Sequence, residues 1–182
     1  LETAYQQLQS GSPVLLLPTN PVEAWIAQLD HEVQSGGFVK ELPYWREIVT
    51  VKTASLPLDL NASPDSNTVA TEAHATLALD RDPTKLVLGS LSKSGRIRMD
   101  DALLGCLTQA LAVWLGDCKL LVDLEAHGRE TLGRVDPTRT IGWFTSIYPF
   151  LLKIHGGRPL GETIREIQET RSRVPRHGLG FS

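Results

Sequence analysis

Residues 118–130 read Cys118-Lys119-Leu120-Leu121-Val122-Asp123-Leu124-Glu125-Ala126-His127-Gly128-Arg129-Glu130, and the first ten of them alternate. Successive side chains of a strand point to opposite faces. Cys118, Leu120, Val122, Leu124 and Ala126 therefore share one wholly apolar face, and Lys119, Leu121, Asp123, Glu125 and His127 share the other. The first face suits a core. The second gathers two acids and an imidazole toward the end of a predicted strand over 118–127.

Just before this strand, Asp100 is placed to cap a helix whose apolar residues Ala102, Leu103, Leu107, Ala110, Leu111, Trp114 and Leu115 fall at helical spacing, with Gly116 ending it. That phase predicts Trp114 on the buried stripe beside Leu107, Ala110 and Leu111. Further back, Asp82-Pro83 opens a helix through Leu91, with Gly95 after it. Thr68 to Leu79, rich in Thr, Val and Ala with partial alternation, reads as a strand. Residues 52–66 hold Pro57, Asn61, Ser63, Pro64, Asp65 and Ser66 and read as a crossing loop. At the start, Leu1 to Gln9 reads as the tail of an amphipathic helix stopped by Gly11 and Pro13. Asn20-Pro21 offers an N-cap and a first-turn proline to a helix carrying Trp25, Ile26, Leu29 and Val33, which Gly36-Gly37 ends. A further helix holds Phe38, Leu42, Trp45 and Ile48, with Pro43 bending it or moving its start. After the central strand, Trp143 to Ile154 reads as a second, mostly apolar strand broken at Pro149, and Leu160 to Val174 as a charged amphipathic helix. Helices and strands are mixed, so the class is α/β (α+β).

The chain has 182 residues, 41% of them apolar and 21% charged, with net charge −3. These are ordinary values for a soluble globular protein, and they point to no nucleic-acid or membrane-surface partner. The longest apolar runs, such as Val14 to Leu17, are too short to span a bilayer. No signal peptide is visible, and a chain opening on Leu1 inside a helix-like segment reads as an excised piece. Cys106 and Cys118 lie in apolar surroundings and are expected to be buried free thiols of a cytoplasmic protein. His31, His74, His155 and His177 show no metal-ligand spacing, so no metal is expected. Neither a phosphate-binding loop nor a Ser-His-Asp signature is evident.

Four motifs occur in order: Asp101-Ala102-Leu103-Leu104; Glu125-Ala126-His127-Gly128-Arg129-Glu130; Arg139-Thr140-Ile141-Gly142-Trp143-Phe144-Thr145-Ser146-Ile147-Tyr148-Pro149; and Pro175-Arg176-His177-Gly178-Leu179-Gly180-Phe181. Together they resemble the epimerization-type domains of the non-ribosomal peptide synthetase condensation-domain superfamily. That family has Glu-Gly-His-Gly-Arg-Glu, then Arg-Thr-Val-Gly-Trp-Phe-Thr with Tyr-Pro a few residues on, then Pro-x-x-Gly-x-Gly-Tyr-Gly. Leu1-Glu2-Thr3-Ala4-Tyr5 resembles the helix just after the family's His-His-x-x-x-Asp-Gly motif, and Asn67-Thr68-Val69-Ala70 matches a common stretch. The resemblance thus covers nearly the whole chain, with Gly142-Trp143-Phe144-Thr145 its most discriminating part. The sequence departs from the pattern in lacking the His-His-x-x-x-Asp-Gly motif, in having Ala126 for glycine, and in having Phe181-Ser182 for Tyr-Gly.

The resemblance implies a chloramphenicol-acetyltransferase-like fold of two lobes around a tunnel, with residues 1–66 finishing the first lobe and crossing over and 67–182 beginning the second. It implies that a peptidyl carrier protein delivers its thioester on a phosphopantetheine arm, that adjacent synthetase domains are the other partners, and that the domain binds no cofactor of its own. Epimerization removes the α-proton of a carrier-bound aminoacyl or peptidyl thioester and returns one to the other face, which needs acid/base groups on two sides. Resemblance places Glu125 on one side, in a water-poor tunnel, and the histidine of the absent motif on the other. His127 is a second acid/base group or a structural hydrogen-bonding histidine. Trp143 and Phe144 pack along the tunnel wall, and Thr145 and Ser146 hydrogen-bond the substrate or its arm or act structurally. Arg129 and Glu130 form a local ion-pair pattern that Arg139 joins, and Asp123 is solvated or helps to place the strand. The 182 residues alone are expected to be inactive. The alternatives are a peptide-bond-forming condensation domain, in which Glu125 has no special role, and a non-catalytic docking module.

Overall fold

The alternation over 118–127 is realised as β1 (Cys118–Ala126), with Asp123 and Glu125 exposed and Leu124 and Ala126 half-buried between them. His127 falls just past its end. β2 (Ser146–Ile154) pairs with β1 in a two-stranded sheet, and Phe150, Leu152 and Ile154 on it are almost wholly buried. The computed structural model describes residues 2–58, 64–66, 68–95 and 97–181. Leu1, Asn61, Ser63, Asn67 and Ser182, which figure in the sequence reading, lie outside the described residues.

β2 starts three residues later than Trp143, and it runs unbroken through Pro149. A sheet of two strands leaves each strand one edge where no ladder bond is lost to a proline. The larger correction is Thr68 to Leu79, which forms no strand. Thr68 and Thr71 make a capping box that turns Val69–Thr71 into a 3-10 turn. Residues 72–80 then run exposed and without a ladder partner, and alternation without a partner strand leaves the backbone to water.

The helices are α1 (Glu2–Gln9), α2 (Val22–Gln34), α3 (Leu42–Thr50), α4 (Arg81–Ser94), α5 (Met99–Leu115) and α6 (Leu160–Ser172). Pro43 stands in the first turn of α3, after a 3-10 turn over Val39–Glu41, and Trp45 and Ile48 are buried as their spacing predicts. Asn20 does not cap α2. Pro21 takes the cap position in extended conformation, while the Asn20 amide donates to the Asp136 carbonyl at 3.1 Å. Of the predicted α2 stripe, Trp25 is buried and Leu29 half-buried, but Ile26 and Val33 are exposed.

The chain forms two compact units, each assembled from separated stretches. One comprises Leu1–Val49, Asp123–Tyr148 and Pro175–Ser182; its core is Trp25, Leu132, Phe144 and Leu179, flanked by Val22, Leu29, Phe38 and Val135. The other comprises Thr50–Val122 and Pro149–Val174, and in it α5 packs on α6.

The buried face of α5 is not the predicted one. Asp101, Leu104, Gly105 and Thr108 are buried, whereas Trp114 is 56% exposed and Leu107 and Ala110 are exposed too. The helix is apolar on most sides, so its periodicity does not single out a phase. What selects the phase is α6. A Cβ at position 105 would lie 2.7 Å from Ile164 Cγ1, so glycine lets the two helices approach closely, and the buried Asp101 carboxylate accepts from Arg171 Nε at 2.7 Å. Asp100 is accordingly not the cap; Arg98 is, and it pairs with Asp100 in the first turn. Cys106, on the same open side, is exposed and Cys118 half-buried, so neither is the buried thiol expected; both are free.

Candidate functional site

The second, third and fourth motifs meet inside the first unit. Their junction is Gly128, whose φ of 61° is costly for any residue with a Cβ. A Cβ there would also run into the Phe144 carbonyl. Glycine thus lets the middle of the third motif lie directly against the second.

Arg129 secures that junction. Its Nη1 donates to the carbonyls of Pro137 (2.8 Å) and Thr140 (2.6 Å), its Nη2 donates to that of Gly142 (3.1 Å), and its guanidinium lies 4.3 Å from the centroid of the Phe144 ring. Arg129 and Glu130 are therefore not the ion-pair pattern expected. Arginine's fixed fork can hold several carbonyls at once, and here it staples the loop 137–142. Glu130 instead accepts from His177 Nδ1 at 3.0 Å, joining the second motif to the fourth. Arg139 does not join them; it is exposed and lines a shallow depression with Leu17, Asn20 and Asp136.

The fourth motif turns sharply at Arg176 (φ 41°) and His177 (φ 50°), left-handed positions unusual without glycine. Its side chains hold the turn. Arg176 pairs with Glu32 at 3.0 Å and Glu41 at 3.4 Å, and lies over the Phe38 ring at 4.7 Å.

Trp143 and Phe144 diverge. Phe144 is buried and packs edge-on against Trp25 at 5.1 Å, whereas Trp143 is 88% exposed and is not the packing residue expected. Thr145 is half-buried and Ser146 buried, and the Ser146 hydroxyl has no hydrogen-bond partner among the described residues. Trp143, Phe144, Thr145 and Ser146 line one crevice of about 240 Å³, shared with Trp25, Leu29, Val33, Phe38, Leu179 and Gly180. Motif spacing points to the first four. Trp25 and Phe38, far away in the chain, carry no signal in the sequence beyond their apolar character.

Asp123 and Glu125 are exposed on β1, so the described residues do not enclose Glu125 in a water-poor tunnel. His127 is exposed and its Nδ1 accepts from the Arg129 backbone N–H at 3.0 Å, so the neutral ring carries its proton on Nε2. At the base of the stapled loop, the Asp136 carboxyl is held below the ordinary aspartate range by hydrogen bonds from the Thr138 hydroxyl and backbone N–H. Among the described residues no group of three or more His, Cys, Asp or Glu could hold a metal ion, and no helix is long and apolar enough to cross a membrane.

The family model described as "Condensation domain" matches residues 1–182. The chain belongs to the condensation-domain family. It is 35% identical over 183 residues to one of the linear gramicidin synthase polypeptides of Brevibacillus parabrevis, covering 100% of this chain and 2% of that protein. The chain thus spans a small part of the synthetases it matches. Among solved structures it is similar to the epimerization domain from the third module of tyrocidine synthetase B, with TM-score 0.82 and 31% identity over 99% of this chain and 41% of that one. The first condensation domain of the calcium-dependent antibiotic synthetase, solved with a substrate analogue, has TM-score 0.68 at 15% identity over 97% of this chain and 38% of that one, a likeness of fold. This condensation-family segment of a non-ribosomal peptide synthetase therefore has the mixed helix-and-strand, chloramphenicol-acetyltransferase-like fold that its motifs imply.

Proposed function

We propose that this segment belongs to an epimerization domain, which converts L-aminoacyl or L-peptidyl thioesters to the D form. The reading is supported above all by Gly142-Trp143-Phe144-Thr145, together with the greater likeness to an epimerization domain than to a condensation domain. In this reading an upstream carrier protein brings the substrate on its phosphopantetheine arm, residues 1–66 end one lobe, and 67–182 begin the next. The α C–H bond breaks, its proton passes to a base, and the electron pair moves onto the thioester oxygen. A proton then returns to the opposite face, so atoms and electrons balance without an oxidant. Glu125 serves one face. Its exposed carboxylate at the end of β1 stands open to a substrate, and Arg129, through the stapled loop, keeps the neighbouring motif in place. His127 stands two residues on, its Nε2 free to act as a second proton relay.

The test is Glu125→Gln in the intact synthetase. The amide keeps the shape and hydrogen-bonds but cannot exchange a proton. Epimerization is expected to fall about 10²–10⁴-fold with carrier loading unchanged. The assay follows the D:L ratio of the thioester-bound product and wash-in of solvent deuterium at the α-carbon. Epimerization at the native rate would remove Glu125 as proton carrier and make peptide-bond formation or docking the better reading.

A further inference from the structure

The fourth motif is strained where it turns. Arg176, His177 and Gly178 follow one another at φ 41°, 50° and 89°. Only the last is glycine, and residues with a Cβ visit the left-handed region singly, not in succession. At each of the first two the Cβ disfavours this conformation by a factor of about 5–30. Side chains hold the strained turn shut. Arg176 reaches Glu32, Glu41 and the Gly37 carbonyl and covers the Phe38 ring, and His177 reaches Glu130. Beyond them Leu179 is buried in the core of the first unit, and the Phe181 ring stands 5.0 Å from that of Trp45. The glycines let the segment lie flat: a Cβ at 178 would run into the Tyr148 ring, and one at 180 into the Glu41 carboxylate and the Phe38 ring. Glycine at 176 and 177 would remove the strain, but also the side chains that close the turn. Both of these side chains are exposed, where ion pairs are weak. The same two residues thus carry strain that favours opening and surface contacts that favour closing.

We propose that residues 175–181 are a strap that opens and closes over the crevice of about 240 Å³, to whose lining they contribute Leu179 and Gly180. Opening draws Leu179 away from Trp25 and Phe144 and removes one wall. The wall made by the third motif stays in place, because Arg129 holds the loop before it through three carbonyls that the strap does not touch. Segments that move in function are drawn from those of low local stability, and a turn whose strain is balanced by exposed contacts is one. The inference does not depend on which reaction the domain performs.

The experiment compares His177→Ala with His177→Gly in the intact synthetase. Both lose the contact with Glu130, but only glycine relieves the strain. Hydrogen exchange over 175–181, read by mass spectrometry, follows the strap through the amides of Leu179 and Phe181, which donate to the Arg176 and Gly178 carbonyls at 3.1 Å each. Labelling of Leu29→Cys by N-ethylmaleimide, in the same two backgrounds, follows access to the crevice that Leu29 lines. His177→Ala is expected to raise the opened population about two- to fivefold, the effect of one exposed pair. His177→Gly is expected to be about fivefold less open than His177→Ala, since the freedom glycine gains in the open state offsets part of the relief. Cysteine labelling should rise and fall with exchange by the same factors. Equal exchange in the two variants would mean that His177 stores no strain and would overturn the strap. Exchange that differs while labelling does not would mean that the segment moves without opening the crevice, which overturns it equally.

Discussion

Asp136 shows how one turn residue sets a titration. Both hydrogen bonds that lower its pKa come from Thr138, the hydroxyl contributing more than the backbone N–H. Thr138→Ala keeps the backbone donor, so the Asp136 carboxyl should titrate closer to the ordinary aspartate value, measured from the carboxyl carbon shift by NMR. The sign follows from linkage. With the folded value depressed, the stabilisation is present above the unfolded value and is lost as pH falls through the folded one. The carboxyl is fully exposed, so the titration is the quantity to follow. Arg129 illustrates the same economy of local bonding: one guanidinium closes the loop 137–142 on three carbonyls, which a lysine's point charge would not do.

Helix α5 turns on a choice among faces. Leu107, Ala110, Leu111 and Trp114 make a buried stripe by spacing, yet Gly105 and Asp101 decide against it, one by admitting Ile164 and the other by meeting Arg171. A buried acid with its partner across the helix pair can set register, because any other phase would leave the charge unpaired. In the 182-residue chain Trp114→Ala should therefore cost about 0.5 kcal/mol or less, as a surface substitution does, where a core tryptophan would cost about 3–5 kcal/mol. Urea denaturation followed by circular dichroism measures it. A loss in the core range would put Trp114 back on the packed face.

The first unit draws on three stretches of chain, and its last one, 175–181, is held largely by side chains. Arg176 bridges Glu32 and Glu41, and His177 reaches Glu130. Glu41 is buried and also accepts from Trp45 Nε1 at 3.3 Å. Glu41→Ala should loosen this segment. A loss of about 1–2 kcal/mol would raise the opened population on the order of tenfold. Limited digestion with trypsin should then cut after Arg176 faster by a similar factor, read by mass spectrometry. Unchanged cleavage would mean that Glu32 and the Phe38 ring suffice.

Much of this can be seen in the residues alone. The alternation of β1, the glycine stop of α4 at Gly95, the buried Trp45 and Ile48 of α3 and the ordered motifs that mark the family all depend on near neighbours, whose side chains share or alternate faces by backbone geometry. Periodicity says which residues stand together, but not which face finds a partner. Thr68 to Leu79 has a strand's composition but pairs with no strand among the described residues, and Phe144 turns inward while Trp143 turns out. The crevice and the His177–Glu130 pair join residues far apart in the chain, and the Arg129 staple gathers three carbonyls that no local pattern singles out. Those arrangements come from the docking of distant segments, where close approach at glycine and the pairing of buried charge select one packing among several that the local pattern allows equally.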